Sequence, residues 1–128
     1  MYTYRKKIQL SHSATASGFS DINVLSLSGF GTNKIADVEV KVTAYDVANA
    51  KSSIVYYRNV EVIDSAAAPS YYNSNDSSFF YREDTSTAAY VYDVAYNQTT
   101  SNIVIRASNP TATTLNTICI IDYKINFY

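Results

Sequence analysis

Residues 38–45 read VEVKVTAY, and the alternation of apolar and polar side chains along this stretch decides the fold class. Val38, Val40, Val42 and Ala44 fall on one side of an extended chain, whereas the polar and charged residues between them fall on the other. A period of two is typical of a β-strand that buries one face. The stretch therefore predicts an amphipathic strand.

The end of the chain repeats this pattern over residues 117–127. Polar side chains at every second position give this segment one polar and one apolar face, as a half-buried strand requires. The polar face contains Asp122, Lys124 and Asn126, and the apolar face contains Cys119, Ile121, Tyr123, Ile125 and Phe127.

Turn residues separate the other predicted strands. Residues 11–18 are small and polar, so we expect a loop there with a solvated His12. Residues 28–33 read SGFGTN and predict a turn, and residues 64–78 predict a long exposed loop. The remaining strands are predicted at 2–10, at 22–27, where the alternation is imperfect, and at 54–63, 90–96 and 103–107, with a short apolar segment at 79–81.

Seven or eight strands at these spacings predict an all-β fold, an antiparallel β-sandwich that is jelly-roll-like. The length of 128 residues suits a single domain over residues 1–128, with residues 1–10 as an N-terminal arm. Thirteen tyrosines suit half-buried β surfaces, and a charged fraction of only 16% suits a surface that packs against other copies of the chain or a polar partner.

The composition excludes several kinds of chemistry. The net charge of −1 argues against a nucleic-acid partner. His12 is the single histidine and Cys119 the single cysteine, so we expect no disulfide, no metal site and no cofactor. His12 beside Ser11 or Ser13 lacks the third orienting group of a hydrolase, and Cys119 among isoleucines predicts a buried, inert thiol.

Acidic residues raise two alternatives to a protein without catalytic or metal sites, namely a glycoside hydrolase and a calcium-binding loop. Glu83 and Asp84, with Asp64, could form the carboxylate pair of a glycoside hydrolase, but adjacent acids in a polar stretch are more often solvated. Asp76 lies near Asn73 and Asn75, yet the spacing of a calcium-binding loop is absent. We therefore predict no catalytic residues and no metal ligands.

Neither a signal peptide nor a membrane span is expected. The basic residues at 5–7 are not followed by an apolar stretch, and the longest aliphatic run is 118–121.

The best candidates for a functional surface are five aromatic residues around a polar, proline-bearing loop. Tyr71, Tyr72, Phe79, Phe80 and Tyr81 have few apolar neighbours in the sequence, and aromatic residues are enriched in the cores of protein interfaces. We predict that several of them contact a partner. The alternative is that the loop folds back and buries them under the sandwich.

The N-terminal segment around Tyr4 is a second candidate interface. A short arm of this kind could pair with the sheet edge of a neighbouring chain. The alternative is an ordinary edge strand of the domain itself.

The succession of predicted strands and turns resembles that of a known protein family. Residues 38–53 combine an alternating strand with an "AYD-x-A-N-AKS" turn, and the strand at 103–107 and a closing strand through 122–123 follow later. Over residues 35–127, this succession is similar to the β-sandwich modules that end many bacteriophage tail-fibre and virion appendage proteins. The chain departs from many of these modules in having no tryptophan in the closing strand. The resemblance implies a phage structural protein, often trimeric and displayed on the particle, and it implies no catalytic residue.

We therefore expect a non-enzymatic virion protein, assembled in the host cytoplasm and exposed on the particle's head, collar or tail. Its expected partners are copies of itself, as a homotrimer, and other virion proteins. The alternative function is a receptor-binding or lectin-like module that recognises a host surface glycan through Tyr, Asn and Asp side chains.

Overall fold

The computed structural model describes eight strands, and their bounds follow the alternation of the sequence. It describes residues 2–14, 19–31, 34–46, 51–63, 79–84, 91–97, 100–108 and 115–128. The strands are β1 (Tyr2–Ala14), β2 (Phe19–Ser26), β3 (Lys34–Asp46), β4 (Lys51–Ile63), β5 (Phe79–Asp84), β6 (Val91–Asn97), β7 (Asn102–Ser108) and β8 (Leu115–Phe127).

The strands form two antiparallel sheets, so the predicted all-β sandwich is confirmed. The first sheet has five strands in the order β1-β8-β3-β4-β5, and the second has three in the order β2-β7-β6. The pairs β1 with β8, β2 with β7 and β4 with β5 are nested as in a jelly roll, whereas β3 pairs with β4 and β8. Strands that are distant in the chain are therefore neighbours in the first sheet.

The apolar faces of the strands meet between the two sheets. Within the described part of the chain, β3 contributes its valines and Ala44 to this core, and β8 contributes the whole apolar face that its sequence predicts. Polar contacts also cross the interior: Asn23 Nδ2 donates to the Tyr123 hydroxyl at 2.6 Å, and the Tyr92 hydroxyl bonds to Thr117 Oγ1. The core thus holds the sheets together by apolar burial, with hydrogen bonds between side chains of both sheets.

Two local irregularities explain details of the sequence. The register of β2 against β7 shifts between Asp21 and Asn23, and such a bulge accounts for the imperfect alternation of this strand. The predicted turn begins with a 3₁₀ turn over Ser28–Phe30 and continues to Gly31. Gly31 has φ 111° and ψ 158°, a backbone conformation that is essentially restricted to glycine.

The loop predicted at residues 11–18 is wrong in its first part. Residues 11–14 continue β1, because β8 extends far enough to pair with them down to Leu115 opposite Ala14. His12 therefore lies in a strand and is half-buried, instead of in a solvated loop. The predicted long loop at 64–78 lies outside the described residues.

Candidate functional site

The five predicted aromatic residues are only partly described. Tyr71 and Tyr72 lie outside the described residues. Phe79, Phe80 and Tyr81 begin β5, the last strand of the five-stranded sheet, where the register places Phe80 opposite Tyr57. Their side chains are outside the described part, so contact with a partner stays a prediction.

Tyr4 packs within its own domain. Its ring is half-buried, with its centroid 4.8 Å from that of Phe30, and Phe30 stacks on Phe127 at 4.8 Å. The ring centroids of Tyr2 and Phe127 are 6.0 Å apart, and Tyr2 is 56% exposed. Tyr2, Tyr4, Phe30 and Phe127 therefore form an aromatic cluster at one end of the sandwich, with Tyr2 at its solvent-exposed side. The segment around Tyr4 is paired with β8 along its whole length.

The outward face of the five-stranded sheet carries two rows of side chains, all but one of them charged, that cross four strands. Residues directly opposite each other in antiparallel strands share a face. The register therefore aligns one row across β1, β8, β3 and β4, and a second row two residues further along. The first row is Arg5, Lys124, Glu39 and Arg58, and the second is Lys7, Asp122, Lys41 and Tyr56.

These two rows, which we call the cationic face, contain five cations and only two carboxylates. Lys124 Nζ lies 3.6 Å from a Glu39 carboxylate oxygen, and Arg58 Nη2 lies 3.2 Å from an oxygen of Asp37, in the next row. Arg5 and Lys7 form no ion pair with any residue that the structure describes, and both are exposed. A local excess of positive charge remains on a chain whose net charge is −1.

Tyr56 and Glu39 are linked at the centre of this face. The Tyr56 hydroxyl donates to Glu39 Oε1 at 2.7 Å. This hydrogen bond, with smaller contributions from Lys124 and Arg58, lowers the pKa of Glu39, and the same bond raises the pKa of Tyr56. Glu39 is therefore ionised at neutral pH, and Tyr56 is held in a defined orientation.

An open cavity of about 460 Å³ lies on the cationic face. Its lining consists of Arg5, Lys7, Lys41, Lys124 and Tyr56, both carboxylates of the two rows, and Lys6 and Tyr123 from outside the rows. That volume falls within the range of small-ligand pockets, about 300–1,000 Å³. The arrangement can donate hydrogen bonds to an anion and accept them from hydroxyl groups.

Sequence reasoning did not find this face. The alternating polar positions of β1, β3 and β8 were visible in the sequence, and the polar side of residues 117–127 was identified. Their assembly into one surface depends on β1 lying beside β8, and residues such as Arg5 and Lys124 are 119 positions apart.

The residues weighed for catalysis are not brought together in the described structure. His12 Nε2 lies 3.1 Å from Ser20 Oγ, a partner that the sequence did not indicate, and burial lowers the His12 pKa. Ser11 is exposed, whereas Asp64 and the side chains of Glu83 and Asp84 lie outside the described part. The expected lack of catalytic residues stays a prediction.

Other expectations concern metals, thiols and membranes. No group of three or more potential metal ligands occurs among the described residues. Cys119 is fully buried, as its position in the strand predicts, and burial raises the pKa of its thiol. In the same part of the chain, no helix is long and apolar enough to cross a membrane.

Comparison with known proteins gives one distant likeness. No protein-family model matches the sequence, and no curated protein matches it. Among solved structures, the chain is similar to the tailspike protein of Acinetobacter baumannii phage AM24, with 7% sequence identity and a TM-score of 0.38. The match covers 94% of this chain and 26% of the tailspike chain, so this chain spans about a quarter of that protein's length.

Proposed function

We propose that this chain is a non-enzymatic structural module of a bacteriophage particle that assembles with copies of itself, as a homotrimer, and with other virion proteins. Its strand and turn succession over residues 35–127, which resembles phage tail-fibre and appendage modules, motivates the phage assignment. The observation that carries the assembly is an edge of the five-stranded sheet, where the 13 residues of β1 pair with β8 and with no other strand that the structure describes.

An edge strand exposes a row of backbone donors and acceptors that can pair with another chain. The other edge of the same sheet is β5. A contact between the β1 edge of one copy and the β5 edge of the next is head-to-tail, and such contacts close into rings under rotational symmetry. A trimer is one such ring.

The charges in the sequences of the two edge strands support this pairing over self-pairing. β1 contains three consecutive basic residues at 5–7, whereas β5 ends in Arg82, Glu83 and Asp84 and has more acidic than basic residues. Two β1 edges would bring like charges together, whereas β1 against β5 brings opposite charges together. Lysines on an edge strand are also a common device against self-pairing.

Light scattering at micromolar concentration is the direct test, and we expect a trimer. Replacing Tyr72 and Phe80 together with Ser should weaken assembly at least ~30-fold, since truncating one large interface hot spot costs about 2 kcal/mol or more. The circular dichroism of the β-sheet should remain intact. Val24→Ser is the control, because Val24 is an apolar residue, 50% exposed, on the other sheet.

Three other outcomes would contradict parts of the proposal. A monomer both in solution and in the native particle rules out the assembly. Unfolding of the double variant shows that Tyr72 and Phe80 belong to the domain's own core. If the double variant neither unfolds nor loses assembly, Tyr72 and Phe80 are not part of the contact, and the β1 edge around Tyr4 is the next region to change.

A further inference from the structure

At the end of the sandwich away from the aromatic cluster, four polar side chains join the two sheets: the polar clasp consists of His12, Ser20, Tyr92 and Thr117. In the first sheet, His12 of β1 lies opposite Thr117 of β8. In the second sheet, Ser20 of β2 and Tyr92 of β6 both lie opposite Ala107. His12 Nε2 is 3.1 Å from Ser20 Oγ, and the Tyr92 hydroxyl bonds to Thr117 Oγ1. The polar clasp therefore connects an edge strand of one sheet to an edge strand of the other.

In the described structure, only one of the two ring nitrogens of His12 has a hydrogen-bond partner. Nδ1 is buried and has none among the described residues. In a neutral ring, Nδ1 can remain a bare acceptor while Nε2 donates to Ser20. In a protonated ring both nitrogens are donors, so the Nδ1 proton would be buried without an acceptor. A buried charge without a partner costs far more free energy than an unpaired neutral nitrogen.

The titratable groups that face His12 from the other strands do not compensate a positive charge in acid. The Tyr92 ring lies across the interior, with its centroid 6.4 Å from that of the imidazole and its plane at 72° to it. Cys119 lies two residues beyond Thr117 on the same face of β8 and is fully buried, and burial raises the pKa of its thiol. Phenols and thiols are both uncharged in acid.

The acidic residues of the neighbouring strands do not supply an acceptor within the described structure. Asp21, next to Ser20 on β2, pairs with Arg106 at 3.1 Å. The side chains of Asp46, at the end of β3, and of Asp93, in β6, lie outside the described part. Burial therefore lowers the pKa of His12, with no opposing effect from a carboxylate in the described part.

We propose that His12 is an acid-sensitive latch: protonation of its ring breaks the polar clasp and releases residues 11–14, the end of β1, from the three-stranded sheet. His12 is half-buried on an edge strand, so a small opening of β1 takes the charged ring into water. The other end of β1 is held by the aromatic cluster, so the opening is confined to one end of the strand.

The latch also regulates the proposed assembly, and this consequence rests on the proposed function. β1 is the edge that the proposed trimer pairs with the next copy. An end of β1 that has left the sandwich no longer offers its backbone groups in register. Assembly should therefore weaken in acid.

Proton NMR of the unchanged protein tests the latch directly, because His12 is the single histidine and its imidazole signals need no assignment. We expect the His12 pKa to lie below that of the same chain unfolded in urea. A pKa equal to or above the unfolded value would show that an acid compensates the ring, and it would overturn the proposal.

His12→Gln removes the titration and keeps a side chain that can bond to Ser20. The unfolded chain takes up the proton first, so stability falls as pH decreases from 8 through about 6.5, the ordinary pKa of histidine. For each unit by which folding lowers the pKa, the folding equilibrium constant of the unchanged protein should fall about tenfold. His12→Gln should be spared this loss. Identical pH dependence of the two proteins in urea unfolding would contradict the latch.

A matched control keeps one histidine in β1 but moves it out of the polar clasp. His12→Gln combined with Gln9→His places the imidazole at an exposed position of the same strand. Its stability should depend on pH as that of His12→Gln does. If this control instead loses stability in acid as the unchanged protein does, the effect does not come from the polar clasp and the proposal is wrong.

Amide hydrogen exchange at pH 5 locates the opening. Amides 11–14 should exchange faster in the unchanged protein than in His12→Gln, whereas amides 3–5, at the other end of β1, should not differ. Equal exchange of amides 11–14 in the two proteins would overturn the release of this end.

Light scattering at pH 7.5 and pH 5 reports the assembly separately. A trimer that dissociates at pH 5 in the unchanged protein but not in His12→Gln supports the regulation, and a trimer that persists in both overturns it. A monomer at both pH values contradicts the proposed function, while the titration and the amide exchange still decide the latch.

Discussion

At the scale of single residues, Glu61 is an ionisable side chain that lies in an apolar environment. It is 1% exposed, within the sandwich core. The Tyr57 hydroxyl donates to Glu61 Oε1 at 2.9 Å, and Asn59 Nδ2 donates to the same oxygen. Glu61 Oε2 has no hydrogen-bond partner among the described residues. Burial therefore raises the pKa of Glu61, and the two donated bonds only partly oppose this shift.

Glu61→Gln is expected to change how stability depends on pH. A carboxyl group whose pKa is raised by folding stabilises the native state below its unfolded pKa, about 4.5, and loses this contribution as pH rises through the folded pKa. Gln does not titrate and keeps the acceptor oxygen for Tyr57 and Asn59. The stability of the variant relative to the unchanged protein should therefore rise from pH 4 to pH 8, as measured by urea unfolding.

Glu39→Gln is the control, because its stability relative to the unchanged protein should change with pH in the opposite direction. The hydrogen bond from Tyr56 lowers the Glu39 pKa, so ionised Glu39 stabilises the fold above its unfolded pKa and loses this contribution as pH falls. The relative stability of this variant should fall from pH 4 to pH 8, by a small and salt-sensitive amount because the site is partly solvated. A difference between Glu61→Gln and the unchanged protein that is constant with pH would contradict the assignment of Glu61.

At the scale of elements, β8 shows that alternate residues of one strand contribute differently to stability. It pairs with β1 on one side and β3 on the other, so it is internal to the sheet. Ile121 is fully buried between Ile8 and Val42 in the register, whereas its neighbour Ile120 is half-buried on the outward face beside Thr43. The two isoleucines share a backbone environment and differ mainly in the face that they occupy.

Ile121→Ala should therefore destabilise the protein much more than Ile120→Ala. Removing a fully buried isoleucine leaves a cavity and costs about 2–5 kcal/mol. Ile120 is half-buried, so its removal should cost about 1 kcal/mol or less. The free energies of unfolding in urea, compared at equal pH, measure the difference. Equal losses would show that the outward face is covered as well as the inward one.

At the scale of the whole molecule, the nested pairing of strands means that most paired residues of the first sheet are far apart in the sequence. Tyr2 pairs with Phe127, so the two ends of the chain meet in the first sheet. In the second sheet, pairing of β2 with β7 closes a loop that is long, although shorter than the loop closed by β1 and β8. Long loops must be closed before such contacts form, so β-sandwiches fold slowly.

Refolding from urea, followed by stopped-flow fluorescence of the tyrosines, should take milliseconds to seconds, as for other folds dominated by non-local pairing. A slower phase of tens of seconds that a prolyl isomerase accelerates would belong to Pro69 or Pro110 instead. Complete refolding within about 100 μs, as in helical bundles, would contradict this prediction.

In β4, the sequence alone does not show which alternate residues face the core. Residues 60–63 read VEVI, and local hydrophobicity does not decide which pair faces the core. The structure buries Glu61 and Ile63 and leaves Val60 39% exposed. The reason is that Ser53, Val55, Tyr57 and Asn59 precede them on the same buried face, and a period of two carries that face to the end of the strand.

The sequence by itself determined the all-β class, the approximate positions of most strands and the inward face of β3 and β8, because alternation with a period of two is a local property of Val38 to Ala44 and of Cys119 to Phe127. Only the tertiary structure decided which strands are neighbours. The register of β1 against β8 placed Arg5 opposite Lys124, and the fold of the turn after β2 brought Phe30 against Tyr4. These contacts join residues from distant parts of the chain, and strand order and register depend on the packing of the whole sandwich, which no local pattern encodes.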